Sequence, residues 1–129
     1  RVGTAYSNAK IISLFSKTKA PYNVSELNQK AAIEVLNNYP EFEKRKAIIL
    51  EQKDWLKKQL NKVPVVKKVF PSDSNFILVE TTDANKVYNE LVAQKIITRN
   101  RNALLKNCIR ITVGTAGENQ KLMTALNKL

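Results

Sequence analysis

The 129-residue sequence contains no histidine, a single cysteine and only three glycines. The absence of histidine removes the commonest general base and metal ligand, together with any Ser–His or Cys–His nucleophile pair. Because Cys108 stands alone, an internal disulfide is impossible and a metal site such as zinc is not expected. Any chemistry that the chain performs by itself is therefore restricted to lysine, carboxylate or tyrosine side chains.

Long hydrophobic runs are also missing from the sequence. No apolar stretch approaches the ~20 residues that a membrane span requires, and no signal-peptide pattern opens the chain. A membrane partner is therefore not expected. The single cysteine gives no sign of an oxidising compartment, so a cytoplasmic location is expected. The length suits one domain with a real hydrophobic core.

The net charge of +11 raises RNA or another polyanion as a partner. Seventeen of the 22 basic residues are lysines, and they are spread along the whole chain. In the stretch 41–62 they alternate with acidic residues, as on the solvated face of a helix. Aromatic residues, at 7%, do not form the stacking pattern of RNA-binding sheets. A basic RNA-binding or polyanion-binding module is therefore the alternative hypothesis, and the leading one has no nucleic-acid partner.

Hydrophobic periodicity predicts an α+β fold. Segments with apolar residues at helical spacing are 9–17, 25–38, 41–61, 84–91 and 116–129. Segments typical of strands are 65–70, 74–82, 96–99 and 108–114. Runs of helices followed by neighbouring strands predict a small, mainly antiparallel sheet with helices packed on one face.

Two local signals refine the helical predictions. Asn23, with Glu26 three residues later, is a candidate capping box for the second helix, and Thr115 with Glu118 is a second capping box, for the last helix. In the longest helix Phe42, Ile49 and Leu56 recur every seven residues, which predicts one buried stripe on an otherwise charged helix.

The strand "CIRITV" carries an arginine at its centre. Side chains alternate between the two faces of a strand, so the apolar ones are predicted to face the helices and Arg110 the opposite side. A surface arginine and an anion-binding arginine are both consistent with this placement. Arg99 lies in the preceding strand, and the two guanidinium groups could reach a shared space as an anion clamp.

Three stretches carry a family resemblance. The sequences "KAPYNVSELNQKAA", "SDSNFILV" and "TRNRNALLKNCIRITVGTAGENQKLMTAL" resemble histidinol-phosphate aminotransferases, in the same order. These enzymes are homodimeric, depend on pyridoxal 5′-phosphate (PLP) and belong to fold type I, the aspartate aminotransferase superfamily. The resemblance implies that the chain takes part in exchanging an amino group between glutamate and imidazole-acetol phosphate in histidine biosynthesis. A related class I or II aminotransferase of other specificity is the alternative within the family.

The resemblance implies that the chain is the C-terminal third of such an enzyme. Residues 1–24 are expected to be the tail of the large PLP-binding domain with a connecting segment, and residues 25–129 the C-terminal small domain. The lysine that joins PLP as a Schiff base in the family would precede Arg1. The chain alone is therefore expected to contain no catalytic residue and to be inactive.

Individual residues can be carried over from the family pattern. Arg1, in Arg-Val-Gly, resembles the arginine that binds the cofactor phosphate. Arg110 resembles the arginine that binds the substrate anion, and Arg99 a second one that helps to bind the substrate phosphate. Lys95 stands where the family usually has glycine, at a helix end that favours a left-handed backbone conformation.

Overall fold

A computed structural model describes residues 2–21 and 24–129 of the chain. Within these residues the helices are α1 (Ala9–Thr18), α2 (Glu26–Asn37), α3 (Tyr39–Leu60), α4 (Ala84–Ala93) and α5 (Ala116–Leu126). The strands are β1 (Val66–Val69), β2 (Phe76–Thr81), β3 (Arg99–Asn100) and β4 (Cys108–Thr112). The chain divides into two compact units, Arg1–Lys44 and Arg45–Leu129.

The helices of the first unit begin at polar caps. The side chain of Asn8 accepts a hydrogen bond from the backbone N–H of Ile11, 3.1 Å away, at the start of α1. Ser25 does the same for Asn28 at the start of α2, at 3.3 Å. The prediction of Asn23 as the cap of α2 is therefore wrong, because a cap must directly precede the helix to reach its free N–H groups. Asn23 itself lies outside the described residues.

The long helix α3 is buried only near its C-terminal end. Leu56 is fully buried, whereas Phe42 and Ile49 retain 41% and 38% of their side-chain exposure. The predicted continuous buried stripe is therefore wrong for the first turns of the helix. The reason is that the hydrophobic core takes in α3 only where Leu56 and Leu60 lie.

The second unit contains a four-stranded sheet in the order β1-β2-β4-β3, and every pair of neighbours is antiparallel. One face of β2 and β4 carries Ile77, Val79, Ile109 and Ile111, each at most 1% exposed. These side chains form one core with apolar residues of α3, α4 and α5. The predicted α+β fold, an antiparallel sheet with helices on one face, is confirmed.

The opposite face of the sheet, here named the outer face, carries the alternate side chains of β2 and β4. These are Phe76, Leu78, Glu80, Cys108, Arg110 and Thr112. The side chains of Phe76 and Arg110 are half-buried, whereas Cys108 is buried and Thr112 exposed. The outer face is thus partly shielded rather than fully solvated.

The third predicted strand, 96–99, is much shorter in the structure. Only Arg99 and Asn100 pair with β4, and the preceding residues form no ladder. Ile96 is instead used to end α4, since its backbone N–H donates to the carbonyl of Leu91 at 2.9 Å. Lys95 donates to Val92 at 2.9 Å and has a φ of 60°. This pair of bonds is a Schellman motif, and it confirms the left-handed conformation expected at Lys95.

Lys95→Gly is expected to raise the free energy of unfolding by about 0.5–1 kcal/mol. A left-handed conformation costs a residue with a Cβ roughly 1–2 kcal/mol, and part of that gain is offset by the greater freedom of glycine in the unfolded chain. Urea denaturation followed by circular dichroism measures the difference. The matched control is Lys121→Gly in the middle of α5, where Lys121 is exposed and helical. That variant should lose about 1 kcal/mol. Equal losses in both variants would contradict the account of Lys95.

Candidate functional site

Two arginines lie directly opposite each other in the sheet. Arg99 of β3 and Arg110 of β4 are register partners in the antiparallel pair. Directly opposed residues share a face, with Cβ atoms about 4.5–5.5 Å apart. The structure therefore brings together the two arginines that the sequence predicts to share a space.

Arg110 is held by an aromatic ring. The guanidinium carbon of Arg110 lies over the ring of Phe76, 4.8 Å from its centroid. The register explains the contact, because Phe76 pairs with Thr112 and is thus a diagonal neighbour of Arg110. A cation over an aromatic face is attracted to its negative quadrupole. From the sequence, Phe76 was identified only as part of the predicted strand 74–82, and this contact was missed.

The guanidinium of Arg110 is incompletely satisfied. Its Nε is buried, yet none of the described residues offers it a hydrogen-bond acceptor. Within residues 2–21 and 24–129, no carboxylate forms an ion pair with Arg99 or Arg110. Opposed like charges destabilise a strand pair, and a buried unpaired donor adds a penalty of roughly 1–3 kcal/mol. An anion bound between the two arginines would relieve the repulsion between their charges.

The backbone around β3 and β4 is fixed by asparagines. The side chain of Asn102 accepts the N–H of Asn107 at 2.7 Å, and that of Asn100 accepts the N–H of Asn102 at 2.8 Å. Asn107 has a φ of 56°, a conformation that asparagine tolerates better than most residues. Its carbonyl accepts two bonds from Thr81, which attaches the loop to β2. The short β3 strand is thus held in place beside β4.

The end of β4 is fixed equally well. The side chain of Asn119, buried at 2% exposure, accepts from the N–H of Gly114 and donates to its carbonyl, both at 3.0 Å. A Cβ at Gly114 would meet the Glu118 carboxylate at 2.8 Å and its Cβ at 3.0 Å, so a larger residue would displace the Glu118 side chain. Glu118 forms the predicted capping box with Thr115. Hydrogen bonds from the backbone and then the hydroxyl of Thr115 hold the pKa of Glu118 below its usual value.

Other candidate groups do not form a catalytic centre. Burial, followed by the charge of Glu80, raises the pKa of the Cys108 thiol, so the thiol stays protonated at neutral pH. Lys17 and Lys19 are exposed, and Lys30 pairs with Glu26 at 2.8 Å on the surface of α2. In the described ranges, no cluster of three or more acidic or thiol side chains could hold a metal ion. Every helix of those ranges is too short or too polar to cross a bilayer.

Comparison with known proteins identifies the family. The family model for aminotransferase class I and II matches residues 1–129. The chain therefore belongs to the class I and II aminotransferases, which fits a fold whose outer sheet face presents paired arginines. This membership favours the enzyme hypothesis over the RNA-binding one.

Individual proteins of this family are similar to the chain over most of its length. The histidinol-phosphate aminotransferase of Cytophaga hutchinsonii is 44% identical over 128 residues, covering 98% of this chain and 37% of that protein. The chain thus spans little more than a third of the length of this curated relative. The structure of the histidinol-phosphate aminotransferase from Clostridium acetobutylicum superposes with a TM-score of 0.81 at 23% identity. The superposition covers 94% of this chain and 38% of the Clostridium acetobutylicum protein.

A further similar solved structure is a complex with pyridoxal-5′-phosphate. The histidinol-phosphate aminotransferase from Sinorhizobium meliloti, in complex with pyridoxal-5′-phosphate, superposes with a TM-score of 0.71 at 22% identity. The superposition covers 90% of this chain and 33% of the Sinorhizobium meliloti protein. At such identities the two solved structures establish the shared fold.

Proposed function

We propose that this chain is the C-terminal part of a PLP-dependent histidinol-phosphate aminotransferase. The full-length enzyme transfers an amino group between glutamate and imidazole-acetol phosphate in histidine biosynthesis. The observation that carries the proposal is the opposed Arg99–Arg110 pair, with a buried guanidinium nitrogen that lacks an acceptor in the described part of the chain. Both substrates of the proposed reaction are anions, and they would use the site in turn.

Arg110 is proposed to bind one anionic group of each substrate, at the same place in the site. It bonds the carboxylate of glutamate in one half-reaction and the phosphate of histidinol phosphate in the other. A planar guanidinium suits both, since its fork of N–H donors matches two oxygens of either group. Arg99, exposed at the sheet edge, is proposed to add a second contact to the phosphate, which carries more charge and more acceptor oxygens.

The cofactor is proposed to bind mainly to the part of the enzyme outside this chain. Arg1, proposed to hold the cofactor phosphate, lies outside the described residues. One of the unpaired donors among the described residues, Nε of Arg110, belongs to the guanidinium group that is proposed to bind the substrate anion. PLP, when bound, supplies the electron sink that amino-group transfer requires. The residues of this chain bind and orient the substrate beside it.

The remaining properties of the full-length enzyme follow the same proposal. Residues 1–24 belong to the large PLP-binding domain and its connection, and residues 25–129 to the small domain. The enzyme is a cytoplasmic homodimer, and its partners are small molecules: histidinol phosphate, glutamate and 2-oxoglutarate. The similarity to the histidinol-phosphate aminotransferase of Cytophaga hutchinsonii supports the small-molecule substrates, and the PLP complex of the Sinorhizobium meliloti protein supports the cofactor.

A chimera tests the proposed function. This chain replaces the matching segment of the Cytophaga hutchinsonii relative, and the purified product is loaded with PLP. It is expected to transfer the amino group of histidinol phosphate to 2-oxoglutarate, because the relative supplies the lysine and this chain supplies the substrate arginines. The readout is 2-oxoglutarate-dependent loss of histidinol phosphate, with the unaltered relative as the reference.

Two comparisons sharpen the test. The isolated chain with PLP should show no turnover and no stoichiometric attachment of PLP at one lysine after borohydride treatment, measured by mass spectrometry. A chimera that folds and binds PLP but turns over other amino acids in preference to histidinol phosphate would refute the proposed specificity. Stoichiometric attachment of PLP at one lysine of the isolated chain would refute the division of roles.

A further inference from the structure

A second contact between a cation and an aromatic ring lies on the same face of the sheet as the contact between Arg110 and Phe76. The Nζ of Lys68 lies over the ring of Phe70, also 4.8 Å from its centroid. Both rings are half-buried, and both cations are attracted to an aromatic face. Only Arg110, however, is opposed by another arginine and has a buried nitrogen without an acceptor in the described residues. The two contacts are physically alike, and they differ in the groups that surround the cation.

The backbone segment that carries the ring of Phe76 is anchored by hydrogen bonds. The hydroxyl of Ser72 donates to the carbonyl of Phe76, and the same hydroxyl accepts the N–H of Ser74 at 3.2 Å. The carbonyl of Asn75, the preceding residue, accepts the N–H of Val113 at 2.9 Å and so joins the start of β2 to the end of β4. The platform beneath the guanidinium is therefore fixed on both sides.

An aromatic platform differs from the usual partner of an arginine. A carboxylate at this position would neutralise the guanidinium and occupy the donors that an incoming anion needs. A phenyl ring attracts the cation without carrying a charge and without accepting its N–H groups as an oxygen would. It also restricts the side-chain rotamers of Arg110, so less entropy is lost when the anion binds.

We propose that Phe76 is a positioning residue for the substrate-binding arginine, holding the guanidinium of Arg110 in place for a substrate anion while leaving its charge uncancelled. The inference rests on the proposed function, since it concerns the same site. It adds a residue that acts only through Arg110 and does not itself touch the substrate.

The test compares variants of the PLP-loaded full-length enzyme. Phe76→Leu keeps apolar volume but removes the ring, and is expected to raise the KM for glutamate about three- to thirtyfold with kcat nearly unchanged. Phe76→Tyr keeps the ring and should restore the KM to within about twofold of the parent value. Phe70→Leu is the matched control, because it removes an equivalent ring beneath Lys68. Its KM should not change.

Equilibrium binding separates positioning from folding and from activity. The dissociation constant for succinate, an unreactive dicarboxylate, should rise in Phe76→Leu and stay constant in Phe70→Leu, measured by calorimetry. Equal succinate affinities in the two leucine variants, or no rescue by tyrosine, would overturn the inference. Arg110→Ala is measured alongside. If Arg110→Ala leaves glutamate and succinate binding unchanged, the proposed function itself fails. If Arg110→Ala weakens binding but Phe76→Leu leaves it unchanged, only the positioning role of Phe76 fails.

Discussion

Replacing Arg110 by alanine in the full-length enzyme is expected to lower kcat/KM about tenfold to a hundredfold or more, for glutamate and for histidinol phosphate alike. A hydrogen bond to a charged group contributes about 1.5–3 kcal/mol, and Arg110 is proposed to make such bonds to both substrates. The rigid setting of the residue strengthens the expectation. Arg110 lies in the middle of β4, between Ile109 and Ile111 of the core, and its guanidinium lies over the ring of Phe76.

Arg110→Lys is expected to recover little of the lost activity. An ammonium group is a point charge and lacks the planar fork that binds two oxygens at once. Steady-state kinetics with each substrate measures the effect. Lys106→Ala is the control for net charge, since Lys106 is an exposed cation in the loop between β3 and β4. A lysine variant as active as the parent enzyme would show that charge alone suffices at Arg110.

Arg99→Ala is expected to discriminate between the two substrates. It should lower kcat/KM for histidinol phosphate about tenfold or more, and that for glutamate by less than about threefold. The reason is that a phosphate carries more charge and more acceptor oxygens than a carboxylate, so a second guanidinium contributes more to binding it. Arg99 is exposed and opposite Arg110, a suitable place for a second contact to the larger anion.

Single-turnover kinetics, with one substrate at a time, measures this discrimination. Each half-reaction is followed by the absorbance change of the bound cofactor, so neither substrate influences the rate of the other. The Arg110→Ala enzyme provides the comparison, because it should impair both half-reactions. Equal losses for the two substrates in Arg99→Ala would remove the assignment of Arg99 to the phosphate.

Much of the second unit could be predicted from local patterns. The alternation in β4 placed Ile109 and Ile111 in the core and Arg110 on the opposite face, and the structure shows the same division. The capping box of Thr115 and Glu118 was likewise visible in the sequence. These features depend on residues within a few positions of each other, which is the range over which sequence patterns are informative.

What could not be predicted depends on pairing over long distances in the sequence. Phe76 lies 34 positions before Arg110, and only the register of β2 against β4 brings its ring beneath the guanidinium. The shortening of the third strand has a local cause instead, because the backbone of Ile96 closes the end of α4. The exposure of Phe42 could not be foreseen either, since a helical stripe shows which residues can be buried but not how far the core extends.

The most direct test of the central claim is a crystal structure of the full-length enzyme with PLP and histidinol phosphate. The account predicts phosphate oxygens within hydrogen-bonding distance, about 2.7–3.2 Å, of the guanidinium nitrogens of both Arg110 and Arg99. It also predicts that the ring of Phe76 remains beneath Arg110 in the complex. A phosphate bound elsewhere, with Arg110 turned away from the substrate or paired with a carboxylate of the rest of the enzyme, would contradict the account.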